Sequence, residues 1–130
     1  YIFTVSTTMD GAHKDMKEYL AKGAKMPTAF FADNDMIALG CIKAFQEAGY
    51  RVPEDISVAA FDDLPFCEIS SPRLTTIKVF KYEMGQIAVR RLIEVMKDGG
   101  KINTKTQVCT EFVERDSVID LNSASKEGGN

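Results

Sequence analysis

Apolar residues recur in this chain at two spacings, and the switches between them lay out a series of strands and helices. Ile2 to Val5 reads as a short strand, followed by a polar Ser6-Thr7-Thr8 loop. Asp10 is placed to cap a helix in which Ala12, Met16, Tyr19 and Leu20 recur at helical spacing until Gly23. Lys25-Met26-Pro27 breaks that pattern. Thr28 to Ala32 is a nearly continuous apolar run, as expected of a strand buried on both faces. A second helix starts at Asn34 or Asp35 and carries Ile37, Ala38, Cys41, Ile42 and Phe45 on one stripe to about Ala48, where Gly49 stops it. Ile56 to Phe61 is the clearest buried strand, and Asp62 to Pro72 reads as a loop. Leu74 to Val79 is extended and rich in β-branched residues. Met84, Ile87, Ala88, Arg91, Leu92, Val95 and Met96 outline the longest helix, ended by Gly99-Gly100. Thr106 to Val113 alternates as a last strand, and the Ser/Gly/Lys-rich 121–130 segment is expected to be a frayed tail.

Strands alternating with helices predict an α/β fold, a parallel sheet with flanking helices. In such sheets a ligand sits beyond the carboxyl ends of the strands. That rule selects two segments, Asp33-Asn34-Asp35 and Asp62-Asp63, each directly after an apolar run.

Composition narrows the chemistry. The 130 residues are 45% hydrophobic, which excludes a disordered tail, and the net charge of −3 argues against this segment gripping nucleic acid alone. Cys41, Cys67 and Cys109 are an odd set without C-x-x-C spacing, so free thiols and a reducing, cytoplasmic compartment are expected. His13, the only histidine, lies beside Lys14 and Asp15 on a helix face expected to be solvated. Neither a phosphate loop, a dinucleotide fingerprint nor a G-x-S-x-G elbow occurs. No catalytic residue, metal site or cofactor is therefore expected. Asp33, Asp35, Asp62 and Asp63 would suit Mg²⁺ by type. A receiver-domain arrangement, however, needs an acidic pair where this chain has Ser6-Thr7-Thr8. Reversible binding of a polyhydroxylated ligand remains. A carboxylate such as Asp62 accepts from two adjacent hydroxyls, and an amide such as Asn34 both donates and accepts. The simpler roles for the same residues are a helix N-cap for Asn34 and a turn-capping residue for Asp62.

Five blocks, in order, resemble the LacI/GalR family of bacterial repressors. They are P-T-A-F-F-A-D-N-D-M-I-A-L-G (Pro27–Gly40), A-G-Y-R-V-P-E-D-I-S-V-A-A-F-D-D (Ala48–Asp63), S-P-R-L-T-T-I (Ser71–Ile77), E-M-G-Q-I-A-V-R-R-L (Glu83–Leu92) and E-F-V-E-R-D-S-V (Glu111–Val118). The resemblance implies part of a two-lobed effector-binding domain of the periplasmic-binding-protein type I fold. Residues 1–76 would be most of the C-terminal lobe, 77–105 would cross to the N-terminal lobe, and 106–120 would return. A chain that begins at Tyr1 without Met is expected to be a piece of something longer. By the same resemblance Asn34 and Asp62 would contact the effector, with Ser6, Thr7, Val79 and Lys81 around them. Leu39, Ile69 and Ser70 would lie in the interface of a homodimer. DNA would be read only by an N-terminal helix-turn-helix outside this chain, and no membrane is involved. The alternative is an extracytoplasmic sugar receptor of a transport system with the same fold. Ala60 stands where the family usually has Gly, Val79-Phe80 replaces a polar residue followed by Pro, and Asp33 adds a charge beside Asn34.

Overall fold

A computed structural model describes residues 1–99 and 103–120; the predicted tail at 121–130 lies outside them. Its elements are α1 (Met9–Ala21), β1 (Ala29–Phe31), α2 (Asp35–Glu47), β2 (Ser57–Asp62), α3 (Phe66–Ile69), β3 (Thr75–Lys78), α4 (Lys81–Asp98) and β4 (Glu111–Val113). One four-stranded sheet runs in the order β1-β2-β3-β4. β1, β2 and β3 are parallel, and β4 is antiparallel to β3, with Thr76 opposite Val113 and Lys78 opposite Glu111. The fold is thus α/β with a mostly parallel sheet. The last strand departs from the parallel expectation because α4 does not lie on the sheet as a crossover helix. None of the described side chains of α4 is buried, and the chain returns beside β3 in the opposite direction. Only three of the residues predicted in the Thr106–Val113 strand find a partner.

α1 and α2 flank one face. Val58 and Ala60 of β2 point into that side and are buried with Ala12, Met16, Ala38, Ile42, Phe45 and Leu74, whereas the alternate residues Ala59 and Phe61 are half-buried. The two helices cross closely at Gly40. A Cβ there would sit against the Met9 carbonyl oxygen and within 3.1 Å of the Ala12 Cβ. Thr8, not Asp10, caps α1: its Oγ1 accepts from the Gly11 N–H at 3.2 Å. Asp10 instead falls in the first turn, where a carboxylate still suits the positive end of the helix dipole.

The predicted strand over Ile2–Val5 does not form. Tyr1 to Val5 runs beside β1, the edge of the sheet, across a cavity of about 440 Å³ that both segments line. Phe3 packs all the same, its ring 5.2 Å from Tyr19 and 5.4 Å from Phe30, which continues to Phe45 at 5.0 Å, and Val5 packs against the core as well, while Tyr1 and Ile2 stay exposed. The apolar pattern is met by packing at Phe3 and Val5, but a strand also requires a hydrogen-bonded neighbour within reach.

At the end of the sheet remote from the carboxyl ends of the strands, Ser117 joins β2 to β3. Its hydroxyl donates to the Val58 carbonyl at 2.6 Å and accepts the Thr75 N–H at 2.8 Å.

Candidate functional site

Because β1 and β2 run parallel, Asn34 and Asp62 fall at the same end of the sheet. Phe31 pairs with Ala59; Asp62 is the last residue of β2, and Asn34 follows β1 by three residues, past the end of the pairing. Asp62 in turn is opposite Lys78, which sets Val79 at the same rim. The strand-end rule therefore selects residues that lie at one end of the sheet.

Asn34 holds the N-cap of α2 in extended geometry, its Oδ1 accepting from the Ile37 N–H at 2.9 Å. The cap stabilises the helix by about 1 kcal/mol. It uses the oxygen only, leaving the Nδ2 donors without a partner among the described residues. The capping role and a ligand role are thus compatible in one side chain.

Asp62 and Asp63 carry positive φ values of 120° and 55°, conformations that L-residues other than Gly rarely adopt. Such strain persists where surrounding contacts over-determine it. Three contacts do so. Lys81 Nζ donates to the Asp62 carbonyl at 2.7 Å and stands 3.6 Å from its Oδ1. Arg115 Nη2 donates to Asp63 Oδ1 at 2.8 Å, while Arg115 Nη1 donates to the Leu74 carbonyl. Leu64 N–H donates to Asp35 Oδ2 at 2.7 Å. The Asp62 carboxylate itself keeps a third of its surface open.

The other predicted contacts are distributed differently. Val79 is half-buried and Lys81 exposed, the latter at the first residue of α4 and tied to Asp62. Thr7 is exposed. Ser6 is engaged by Asp15, whose Oδ2 accepts from both the Ser6 N–H and hydroxyl at 2.8 and 2.6 Å. Those two donations hold the Asp15 carboxyl below the usual range. No described hydrogen bond links the Ser6-Thr7 loop to Asn34 or Asp62, so the structure joins Asp62 with Lys81 but not with Ser6 or Thr7.

Leu39, Ile69 and Ser70 come together with Met9, Met36 and Phe66 around a shallow apolar groove on one surface. Ile69 is 80% exposed there, whereas Ser70 turns its hydroxyl inward to the Cys67 and Pro72 carbonyls. Sequence reasoning missed Arg115 and gave Asp35 no role at this site. Arg115 lies 52 positions from the aspartate it clamps, and no local spacing connects them. Asp35 follows an N-cap, where an exposed first-turn acid is the ordinary expectation.

The periplasmic binding protein-like domain family matches residues 2–118. The chain is 38% identical over 113 residues to the HTH-type transcriptional repressor PurR of Photobacterium profundum, covering 87% of this chain and 34% of that protein. Among solved structures it is similar to a LacI family transcriptional regulator from Enterococcus faecium with bound ribose, at 28% identity and a TM-score of 0.78, over 89% of this chain and 42% of that one. It is also similar to the lac repressor dimer bound to operator and an anti-inducer, at 31% identity and a TM-score of 0.79, over 87% and 39%. The chain thus spans about a third of the length of the curated relatives it matches.

Proposed function

Since the chain belongs to the periplasmic binding protein-like domain family and matches part of the effector-binding domain of LacI-type regulators, we propose that it senses a small sugar or related polyol or nucleoside. The observation that carries this reading is that the Asn34 amide, its Nδ2 unused, and the part-exposed Asp62 carboxylate stand at the same end of two paired parallel strands. A vicinal diol donates two hydrogen bonds to a carboxylate, and a neighbouring amide N–H completes recognition of a third oxygen. Lys81, 3.6 Å from Asp62 Oδ1, adds a donor at the same rim. The ribose bound to the Enterococcus faecium regulator is the relevant chemical precedent.

In this reading residues 1–76 form most of one lobe, 77–105 cross to a second and 106–120 return. The apolar residues that α4 exposes, Val89, Leu92, Ile93 and Met96, support its packing on that second lobe. The effector closes the cleft between lobes and so alters operator binding by a DNA-reading domain outside this chain. It shifts the equilibrium by no more than its differential affinity for the two states. The regulator acts in the cytoplasm as a homodimer and carries out no catalysis. Among the described residues no helix is long and apolar enough to cross a membrane.

A thermal-shift screen of sugars against the full-length protein, beginning with ribose, tests the reading: ligand at 100-fold over Kd stabilises by about 2.7 kcal/mol. Asp62→Ala is expected to abolish that shift and leave operator binding intact. An unchanged shift in Asp62→Ala would remove Asp62 from the pocket, and a wild type insensitive to every sugar would overturn the reading.

A further inference from the structure

Asp35 is a carboxylate with no accessible surface. No ion pair reaches it among the described residues; instead its two oxygens are divided between two other elements. Oδ2 accepts from the Leu64 N–H at 2.7 Å, and Oδ1 accepts from the Thr76 hydroxyl of β3 at 2.6 Å. The Cys67 thiol of α3 lies within hydrogen-bonding reach of the same group, which with burial pushes that thiol up to about 12. A buried carboxylate without a cation costs several kcal/mol unless hydrogen bonds satisfy it. The donors here, and the positive end of the α2 dipole at which Asp35 sits, supply that compensation.

The position of these contacts gives them a consequence for the site. Leu64 directly follows the strained Asp62-Asp63 pair, and Asp35 directly follows Asn34. Of the three side chains that hold the turn, Lys81 and Arg115 act from α4 and from the chain after β4. Asp35 alone acts from the helix that carries Asn34. It therefore ties the Asp62-Asp63 turn to the start of the helix that Asn34 caps. We infer that Asp35 is the positioning residue of the effector site: by accepting from Leu64 N–H and the Thr76 hydroxyl it holds the Asp62-Asp63 turn against the start of the helix that Asn34 caps, without touching the ligand. The inference rests on the sugar-sensing reading for its purpose, and on the turn geometry for its content. Binding constellations tolerate misplacement of only about 0.5 Å, so loss of this link costs affinity even when the fold survives.

The test compares Asp35→Asn, Asp35→Leu and a buried control on the same helix, Ile42→Ala, in the full-length protein. Asparagine can accept the Leu64 N–H through Oδ1 and donate through Nδ2 to a Thr76 hydroxyl that has turned, so it preserves both links. Leucine preserves neither. Amide exchange of the 62–66 segment, relative to that of the 12–20 segment of α1, is expected to rise about tenfold in Asp35→Leu, and to stay near wild type in Asp35→Asn and Ile42→Ala. Affinity for whichever sugar the screen returns, measured by titration calorimetry, follows the same order, with a loss of about tenfold in Asp35→Leu. Thr76→Val, which removes one donor and keeps the shape, gives the same pattern at lower amplitude and carries the test if Asp35→Leu fails to fold. Exchange rising no more at 62–66 than elsewhere overturns the inference, as does a loosened turn with unchanged sugar affinity. A wild type that binds no sugar sinks the sugar reading alone, because the exchange measurement still decides whether Asp35 holds the turn.

Discussion

At the scale of single residues, burial sorts side chains that look equivalent in the sequence. Cys41 and Cys67 are buried and Cys109 is exposed. Burial pushes the Cys41 thiol up to about 11, and burial together with the Asp35 carboxylate pushes Cys67 up to about 12. Since the thiolate is the reactive species, a thiol reagent applied to the native protein at pH 8 is expected to label one cysteine of the three in this chain, and all three after denaturation. Rapid native labelling of two, mapped by mass spectrometry, would place Cys41 or Cys67 outside the core. Asn34 shows the same sorting within one side chain: its oxygen serves the helix, and its nitrogen has no partner among the described residues, open to the proposed ligand.

At the scale of elements, the crossing of α1 and α2 decides how much of the sheet can be covered. Gly40 lets the two backbones meet, since a Cβ there would collide with the Met9 carbonyl, which cannot retreat without moving α1. Gly→Ala in a helix ordinarily gains close to 1 kcal/mol from propensity. Here the collision outweighs that gain, and Gly40→Ala is expected to destabilise the full-length protein by about 1–3 kcal/mol. Chemical denaturation checks it: a midpoint equal to or above wild type would show that α1 can shift freely. β4 makes the complementary point, because the alternating run from Thr106 exceeds the strand that forms and only the stretch facing β3 is paired.

At the scale of the whole molecule, two of the apolar surfaces open among the described residues bear on assembly. One is the exposed stripe of α4. The other is the groove formed by Met9, Met36, Leu39, Phe66 and Ile69, which holds two of the residues that the family resemblance assigns to a homodimer interface, Leu39 and Ile69. A two-fold interface presents the same patch on both subunits, so one buried charge is introduced twice and faces itself. Leu39→Asp is therefore expected to halve the mass of the full-length protein in sedimentation while leaving sugar affinity per subunit unchanged. A variant that sediments as the wild type would move the interface elsewhere.

The sequence by itself determined the local layer of this protein. The α2 stripe from Ile37 to Phe45, the Asn34 cap, the buried run at Ile56–Phe61 and the two acidic strand ends were all legible. Each depends on residues within a few positions of one another, through side-chain period and capping chemistry. Only the tertiary structure decided which runs became strands, which way β4 points and which polar groups are buried. Ile2–Val5 is extended without a ladder, Thr8 displaced Asp10 as a cap, and Asp35 became the buried link between Asn34 and the Asp62 turn. Those outcomes mostly turn on partners far away in the chain: Leu64 is 29 positions from Asp35, Thr76 41, and Arg115 52 from Asp63. Periodicity carries no information over such distances, because hydrogen bonding and burial are settled by what the fold brings alongside.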